Sequence, residues 1–114
     1  MSAITTHVLD TASGRPAAGV PVILSQRDDD GAWRELGRGA TDADGRLRTL
    51  LPAGAPLREG TYRIAFDTGA YFDALGVDGF FPEAAVVFVV RDTGRHYHVP
   101  LLLSPFGYST YRGS

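Results

Sequence analysis

Short apolar segments separated by glycine, proline and aspartate recur along the chain, and this pattern predicts β-strands joined by turns. The alternation is clearest at Tyr62, Ile64 and Phe66, which would share one face of a strand. The segments with this strand-like character are 4–9, 22–26, 33–41, 46–51, 61–67, 85–90 and 95–103. We therefore predict an all-β fold, an antiparallel β-sandwich of seven or eight strands.

Three local features depart from the alternating pattern. Good helix formers occupy 70–75, where Thr68 or Gly69 could begin a helix and Gly76 could end it. Residues 85–90 are wholly apolar, so we expect both faces of that strand to be covered. Pro100 in the last strand cannot donate a ladder hydrogen bond, which predicts an edge position or a bulge.

Composition narrows the function classes. The 114 residues include 11 basic and 13 acidic side chains, and a net charge of −2 disfavours binding to nucleic acid. Cysteine is absent, which excludes thiolate metal sites and cysteine nucleophiles. No apolar run approaches the ~18 residues of a membrane span, and the first residues do not resemble a leader. We expect one domain, residues 1–114, without membrane contact and located in the cytoplasm.

The candidate chemistry rests on histidine, the side chain that normally titrates near neutral pH. His96 and His98 lie two residues apart on a predicted strand and so point to one face, while His7 lies on another strand. The pair could bind a metal with His7 as third ligand, although a histidine on a strand surface is the commoner situation. Arg46 and Arg48 are likewise either an anion clamp or part of a solvated strand face.

Four segments form a recognisable series of motifs: Thr6-His7-Val8-Leu9-Asp10 with Gly14, Pro16 and Ala17; Thr41 with Gly45-Arg46; His96-Tyr97-His98-Val99-Pro100-Leu101 with Ser104-Pro105; and Tyr108 to Ser114. Together they resemble the 5-hydroxyisourate hydrolases, the transthyretin-like enzymes of urate breakdown. The motif Tyr-Arg-Gly-Ser at 111–114 is the most specific, because it separates these enzymes from the transthyretin hormone carriers.

The resemblance implies a transthyretin-like β-sandwich of two four-stranded sheets with one short α-helix. It also implies a homotetramer, a dimer of dimers with active sites at the dimer–dimer interface, that needs no metal or organic cofactor. Carried over residue by residue, the catalytic set is His7, Arg46, His98 and Ser114, and the substrate-binding residues are Tyr111, Arg112 and Gly113. His96 is left as either supporting or structural. Arg48 has no counterpart in the motifs, and we expect it to be a surface residue.

The implied reaction is hydrolysis of a cyclic amide C–N bond, in which water opens the ring of 5-hydroxyisourate to give 2-oxo-4-hydroxy-4-carboxy-5-ureidoimidazoline. His7 and His98 would share the proton transfers, and the sequence leaves open which is the base and which the acid. Arg46 would stabilise the oxyanion and could lower the pKa of a nearby histidine. Ser114 would hydrogen-bond water or substrate, since the chain has no nucleophile-elbow motif.

Three alternatives stay open on the residues alone. The chain could be a transthyretin-like small-molecule binding protein without catalysis, a sandwich with a histidine metal site, or a purely structural domain. A carrier of apolar hormones needs an apolar channel. The histidines and Arg46 argue against one, because polar groups are costly to bury without a purpose.

Overall fold

A computed structural model describes residues 2–114, which form nine strands and one helix. The strands are β1 (Ile4–Asp10), β2 (Arg15–Pro16), β3 (Pro21–Arg27), β4 (Trp33–Ala40), β5 (Arg46–Leu47), β6 (Gly60–Phe66), β7 (Ala84–Val90), β8 (Tyr97–Ser104) and β9 (Gly107–Thr110). The helix α1 (Thr68–Leu75) lies between β6 and β7 in the chain. Within the same residues, no helix is long and apolar enough to cross a membrane.

The strands form two sheets, which confirms the expected sandwich. The first sheet has the order β2-β1-β8-β9, and the short β5 also pairs with β1. The second sheet has the order β4-β3-β6-β7 and is antiparallel throughout. In the first sheet, β1 and β8 run parallel, whereas the other pairs are antiparallel. The first sheet thus has the four strands that the resemblance implies, with β5 as a two-residue addition.

Alternation along β1 and β8 separates the core from the outer face of the first sheet. Ile4 and Val8 of β1 are fully buried between the sheets, whereas His7 is only half-buried. On β8 the inward positions are Tyr97, Val99, Leu101 and Leu103, all buried. His98 lies between two of these inward residues and so belongs to the outer face. The faces of both strands are therefore as the sequence predicts.

The helix begins and ends as its sequence predicts. The Asp67 side chain accepts a hydrogen bond from the backbone N–H of Ala70, and Gly76 ends the helix with φ of 67°, in the left-handed region that glycine favours. From this helix the Tyr71 hydroxyl donates to Asp10 Oδ2 at 2.7 Å. Burial, together with this carboxylate, raises the pKa of Tyr71 to about 12. This hydrogen bond connects α1, which comes directly after β6 of the second sheet, to the last residue of β1 in the first sheet.

Three strands differ in detail from the sequence-based expectation. In the single chain β7 is an edge strand of the second sheet, and its outward Val87 and Val89 are 52% and 49% exposed, so the chain alone covers only one of its faces. β8 lies between β1 and β9, so Pro100 is not in an edge strand, and it keeps regular register with His7; on its other side, however, the pairing with β9 stops at Leu101, so Pro100 has no ladder partner there. The predicted strand 46–51 is also shorter, ending at Leu47.

Loss of the Tyr71 hydroxyl should destabilise the fold. Tyr71→Phe deprives the buried Asp10 carboxylate of one donor, so we expect the free energy of unfolding to fall by about 1–2 kcal/mol. Urea denaturation of the variant measures this. Tyr108→Phe is the matched control, because Tyr108 is 39% exposed and its loss of a hydroxyl should change little. Equal midpoints for the two variants would contradict the role assigned to Tyr71.

Candidate active site

The outer face of the first sheet brings together residues from four parts of the chain. Thr5 is the parallel-ladder partner of His98, and His7 is the antiparallel partner of Arg46. Cross-strand partners project to the same side of a sheet, so these four side chains share one face. This face has a shallow depression of about 250 Å³, which is lined by Thr5, Thr6, Arg46, Arg48, His96, His98 and Ser114; His7 is not part of the lining.

Two histidines meet at one hydroxyl in this depression. Thr5 Oγ1 lies 2.8 Å from His98 Nδ1 and 3.1 Å from His96 Nε2. The two imidazole rings are nearly parallel, with centroids 6.4 Å apart and planes inclined by 23°. Since Nδ1 of His98 faces Thr5, its Nε2 is on the other side of the ring and is free of that contact.

The surroundings of His98 favour its neutral form. Burial of the ring lowers the pKa of His98, and the positive charge of Arg46 lowers it further, with smaller contributions from His96 and His7. A histidine with a lowered pKa stays unprotonated to lower pH than a free imidazole does. His98 can therefore accept a proton at neutral pH, which is what a general base must do.

The segment 111–114 is held against β8 by a backbone hydrogen bond that lies beyond a break in the β8–β9 ladder. Regular pairing between β8 and β9 ends with the pair Leu101 and Thr110. The neighbouring residue of β8 is Pro100, which has no N–H to donate. Pairing resumes in the same register, where the Gly113 N–H donates to the His98 carbonyl at 2.8 Å. Ser114 follows directly and lines the depression.

Close packing explains why residue 113 is glycine. A Cβ atom at Gly113 would lie 2.6 Å from His98 Cδ2, closer than such atoms approach in proteins. The backbone of Gly113 thus packs on the edge of the His98 ring and limits its movement. Next to it, the Arg112 guanidinium carbon lies 4.6 Å from the centroid of the Tyr97 ring, a cation–π distance.

Some of the residues expected in the site line the depression, and others lie outside it. Arg46, His98 and Ser114 line the depression, and His7 lies two residues along β1 from Thr5 on the same face. His96, left uncertain by the sequence, lines it as well. Tyr111 is 57% exposed at the molecular surface. The catalytic and binding roles of these residues remain predictions.

Sequence reasoning missed three residues of the depression. Thr5 and Thr6 lie on β1 beside His7, and the alternation that placed His7 outward could also have indicated Thr5. Arg48 was expected to be a surface residue without a site role, yet it lines the depression, with its Nη1 3.6 Å from Asp42 Oδ2. Its spacing of two from Arg46 was the available signal.

A larger concavity, about 820 Å³, lies elsewhere, between the β3–β4 hairpin and residues 51–58. Its charged side chains include Asp28 and Arg34, which pair with each other at 3.3 Å, and its lining contains no histidine. Histidine is the side chain that normally titrates near neutral pH, and this concavity offers none for proton transfer. The smaller depression is therefore the better candidate for chemistry.

The described residues offer no ligand set for the alternative of a histidine metal site. Within residues 2–114, no three His, Cys, Asp or Glu side chains are grouped so that they could hold a metal ion. The ring nitrogens by which His96 and His98 approach each other are both taken up by the Thr5 hydroxyl.

Removal of the Arg46 charge should change the titration of His98. Because that charge lowers the pKa of His98, Arg46→Gln should raise it toward the value of an unperturbed imidazole. An NMR titration of the His98 ring protons measures the shift. Arg34→Gln, in the β3–β4 hairpin, is the control and should leave His98 as it is in the parent protein. A His98 pKa that does not respond to Arg46→Gln would remove Arg46 from this role.

Known proteins similar to this chain include 5-hydroxyisourate hydrolases and transthyretins. The model of the HIUase/transthyretin family matches residues 4–113. A 5-hydroxyisourate hydrolase from Salmonella dublin is 52% identical over 113 residues, covering 97% of this chain and 80% of the relative. One from Caulobacter vibrioides is 51% identical over 119 residues and covers both chains completely. The mouse 5-hydroxyisourate hydrolase is 46% identical, covering 99% of this chain and 96% of its own.

Solved structures from both groups superpose on the whole sandwich. Sea bream transthyretin in complex with thyroxine has a TM-score of 0.90 and 38% identity, covering 98% of this chain and 95% of that one. The 5-hydroxyisourate hydrolase of Klebsiella pneumoniae has a TM-score of 0.84 and 40% identity, covering 97% and 98%. With a family model that spans nearly all the residues and full-length relatives sharing about half of them, the chain belongs to the HIUase/transthyretin family.

Proposed function

We propose that this protein is a hydrolase that opens the ring of 5-hydroxyisourate. The observation that carries the proposal is the environment of His98, a histidine with a lowered pKa in a depression that it shares with Arg46 and Ser114. Such a group can take a proton from water, and the neighbouring guanidinium can stabilise an oxyanion. The relatives named 5-hydroxyisourate hydrolase, at 46–52% identity over nearly the whole chain, supply the substrate.

The proposed reaction needs water, one base and one acid. His98 Nε2 takes a proton from water, the water oxygen bonds to a ring amide carbonyl carbon, and Arg46 stabilises the negative charge on the carbonyl oxygen. The C–N bond then breaks and its electron pair stays with nitrogen, which takes a proton from His7. The product is 2-oxo-4-hydroxy-4-carboxy-5-ureidoimidazoline. We assign His98 as the base because burial and Arg46 disfavour its charged form and so lower its pKa.

The segment 111–114 completes the proposed site. The Ser114 hydroxyl would orient water or substrate from the side of the depression opposite β1. Gly113 holds the His98 ring by contact and by its hydrogen bond to the His98 carbonyl. The resemblance assigns Tyr111 and Arg112 to substrate binding as well, but neither lines the depression of the single chain, and Arg112 packs on Tyr97, which is on the opposite face of β8 from His98.

A carrier function is the second candidate, because sea bream transthyretin in complex with thyroxine superposes on this chain with a TM-score of 0.90. The polarity of the depression argues against it. Two histidines and two arginines surround the space where a carrier would present apolar side chains. Titration of the protein with thyroxine, followed by tryptophan fluorescence, would favour the carrier if binding were tight and the hydrolase assay negative.

We also propose that the protein assembles as a homotetramer, a dimer of dimers. Phe80 and Phe106 are each 70% exposed in the single chain, and edge strand β7 exposes Val87 and Val89. Exposed aromatic and aliphatic groups of this size commonly mark an interface, and the strand edges at β7 and β9 have unpaired backbone groups. A site at the dimer–dimer interface would also close the open depression. The cytoplasmic location stays a prediction of the sequence.

Loss of either proposed central group should abolish most of the activity. We expect His98→Asn and Arg46→Ala each to lower kcat/KM by about 100-fold or more, since general base and oxyanion contacts are each worth about that much. The decay of freshly generated 5-hydroxyisourate, followed by ultraviolet absorbance, measures the rate. Arg34→Ala in the hairpin is the control. Parent-level acceleration by both site variants would refute the proposed mechanism.

The Ser114 hydroxyl should have a smaller but measurable effect. We expect Ser114→Ala to lower kcat/KM by roughly tenfold, because the variant loses one hydrogen bond to water or substrate. The same absorbance assay measures it, with Ser109→Ala on β9 as the matched control. A rate for Ser114→Ala equal to that of the control would exclude the hydroxyl from the reaction.

Assembly can be tested without substrate. We expect sedimentation equilibrium at micromolar concentration to give the mass of four chains. Phe80→Glu places a charge on an exposed apolar group and should lower that mass, whereas Asp29→Asn, in the β3–β4 loop, should not. A single-chain mass for the parent protein would rule out the tetramer.

A further inference from the structure

One hydroxyl connects the two histidines at the start of β8. Thr5 Oγ1 is within hydrogen-bond distance of both His98 Nδ1 and His96 Nε2, and the Thr5 side chain is buried. A hydroxyl has a single proton, so it can donate to only one of these nitrogens and must accept a hydrogen bond from the other. The protonation of one ring therefore constrains the protonation of its neighbour.

Two arrangements satisfy this chain of hydrogen bonds. In the first, His98 Nδ1–H donates to Thr5, Thr5 donates to His96 Nε2, and His98 Nε2 is an unprotonated acceptor. In the second, His96 Nε2–H donates to Thr5, Thr5 donates to His98 Nδ1, and His98 Nε2 carries the proton. When His96 is charged, both of its nitrogens are protonated, so only the second arrangement is possible.

We propose that Thr5 and His96 form a proton relay with His98, an inference that rests on the proposed function. His98 Nε2 takes the proton of the attacking water while its Nδ1 proton passes to Thr5 Oγ1. The Thr5 proton passes in turn to His96 Nε2. His98 is left neutral with Nε2–H, and the positive charge is on His96. When product leaves, His98 Nε2 gives its proton to solvent and the two shared protons shift back.

The surroundings of the two rings give the relay its direction. Arg46 from β5 and His7 from β1 face His98, and together with burial they make a positive charge on that ring unfavourable. His96 precedes the first residue of β8 and is exposed, so water can solvate its charge. Arg48 also lines the depression, but its Nη1 lies 3.6 Å from Asp42 Oδ2, and this carboxylate offsets its charge. Transfer through Thr5 therefore moves the positive charge from the ring that Arg46 faces to an exposed ring, and Arg46 remains available to stabilise the oxyanion.

This inference gives His96 and Thr5 distinct roles. Both are positioning residues, because they act on the reaction through His98 rather than by touching the substrate. Thr5 sets which ring nitrogen of His98 carries the proton, and His96 accepts the charge. The histidine that the sequence left uncertain is thereby assigned to proton transfer.

The first test needs no substrate. In ¹⁵N NMR at a pH above the titration of both rings, His98 should show protonated Nδ1 and unprotonated Nε2, and His96 should show the same. As His96 becomes charged, the His98 proton should move to Nε2. In Thr5→Val, the His98 tautomer should no longer follow the titration of His96. If the His98 tautomer in the parent protein stays the same when His96 becomes charged, the relay is overturned.

The second test separates the relay from a merely structural role. Thr5→Val keeps the shape of the side chain but removes its hydroxyl, and kcat should fall by about 10- to 100-fold with little change in KM. Thr5→Ser keeps a hydroxyl and should recover most of the rate. Thr11→Val is the matched control, since the Thr11 hydroxyl donates to the Leu103 carbonyl away from the histidines.

A variant of His96 distinguishes a hydrogen-bond partner from a proton acceptor. His96→Gln can still hydrogen-bond to Thr5 but cannot accept a proton, so its kcat should also fall by about tenfold or more. Parent-level kcat in either His96→Gln or a folded Thr5→Val, in a protein that hydrolyses 5-hydroxyisourate, would overturn the relay alone. Failure of the parent protein to accelerate the decay of 5-hydroxyisourate would instead overturn the proposed function.

Discussion

The parallel pairing of β1 with β8 is the constraint on which both the core and the candidate site depend. It joins seven consecutive residue pairs, from Ile4 with Tyr97 to Asp10 with Leu103. The Thr6 hydroxyl strengthens it with a buried hydrogen bond of 2.6 Å to the Val99 carbonyl. A shift of one residue would turn the inward side chains of one strand to the outer face, so the apolar core holds the register firmly.

The same register assembles the polar face. Because parallel partners project to the same side, the pairing that buries Val8 and Leu101 also places Thr5 against His98. β8 then positions the segment 111–114 on its other side. There, Pro100 interrupts the ladder and Gly113 restores it beside the His98 ring. The candidate site is thus built from both edges of a single strand.

The electrostatics of the site follow from how few opposite charges it contains. The residues that line it include two histidines and two arginines but no carboxylate side chain, and Asp42 approaches from outside to pair with Arg48. A cationic, partly buried environment lowers the pKa of His98 and favours negative charge on a bound carbonyl oxygen. An anionic transition state suits such a site better than an uncharged ligand does.

The sequence by itself determined the sandwich, the helix with its ends, and the outward placement of His7 and His98. These depend on local alternation and on glycine or proline positions, which are written in consecutive residues. Tertiary structure alone decided three other features. They are the edge position of β7, the place of Pro100 in a strand between two others, and the inclusion of Thr5 and Arg48 in the site. Each depends on which strands become neighbours, and strand order is set by packing between residues as distant as Thr5 and His98, which no local pattern specifies.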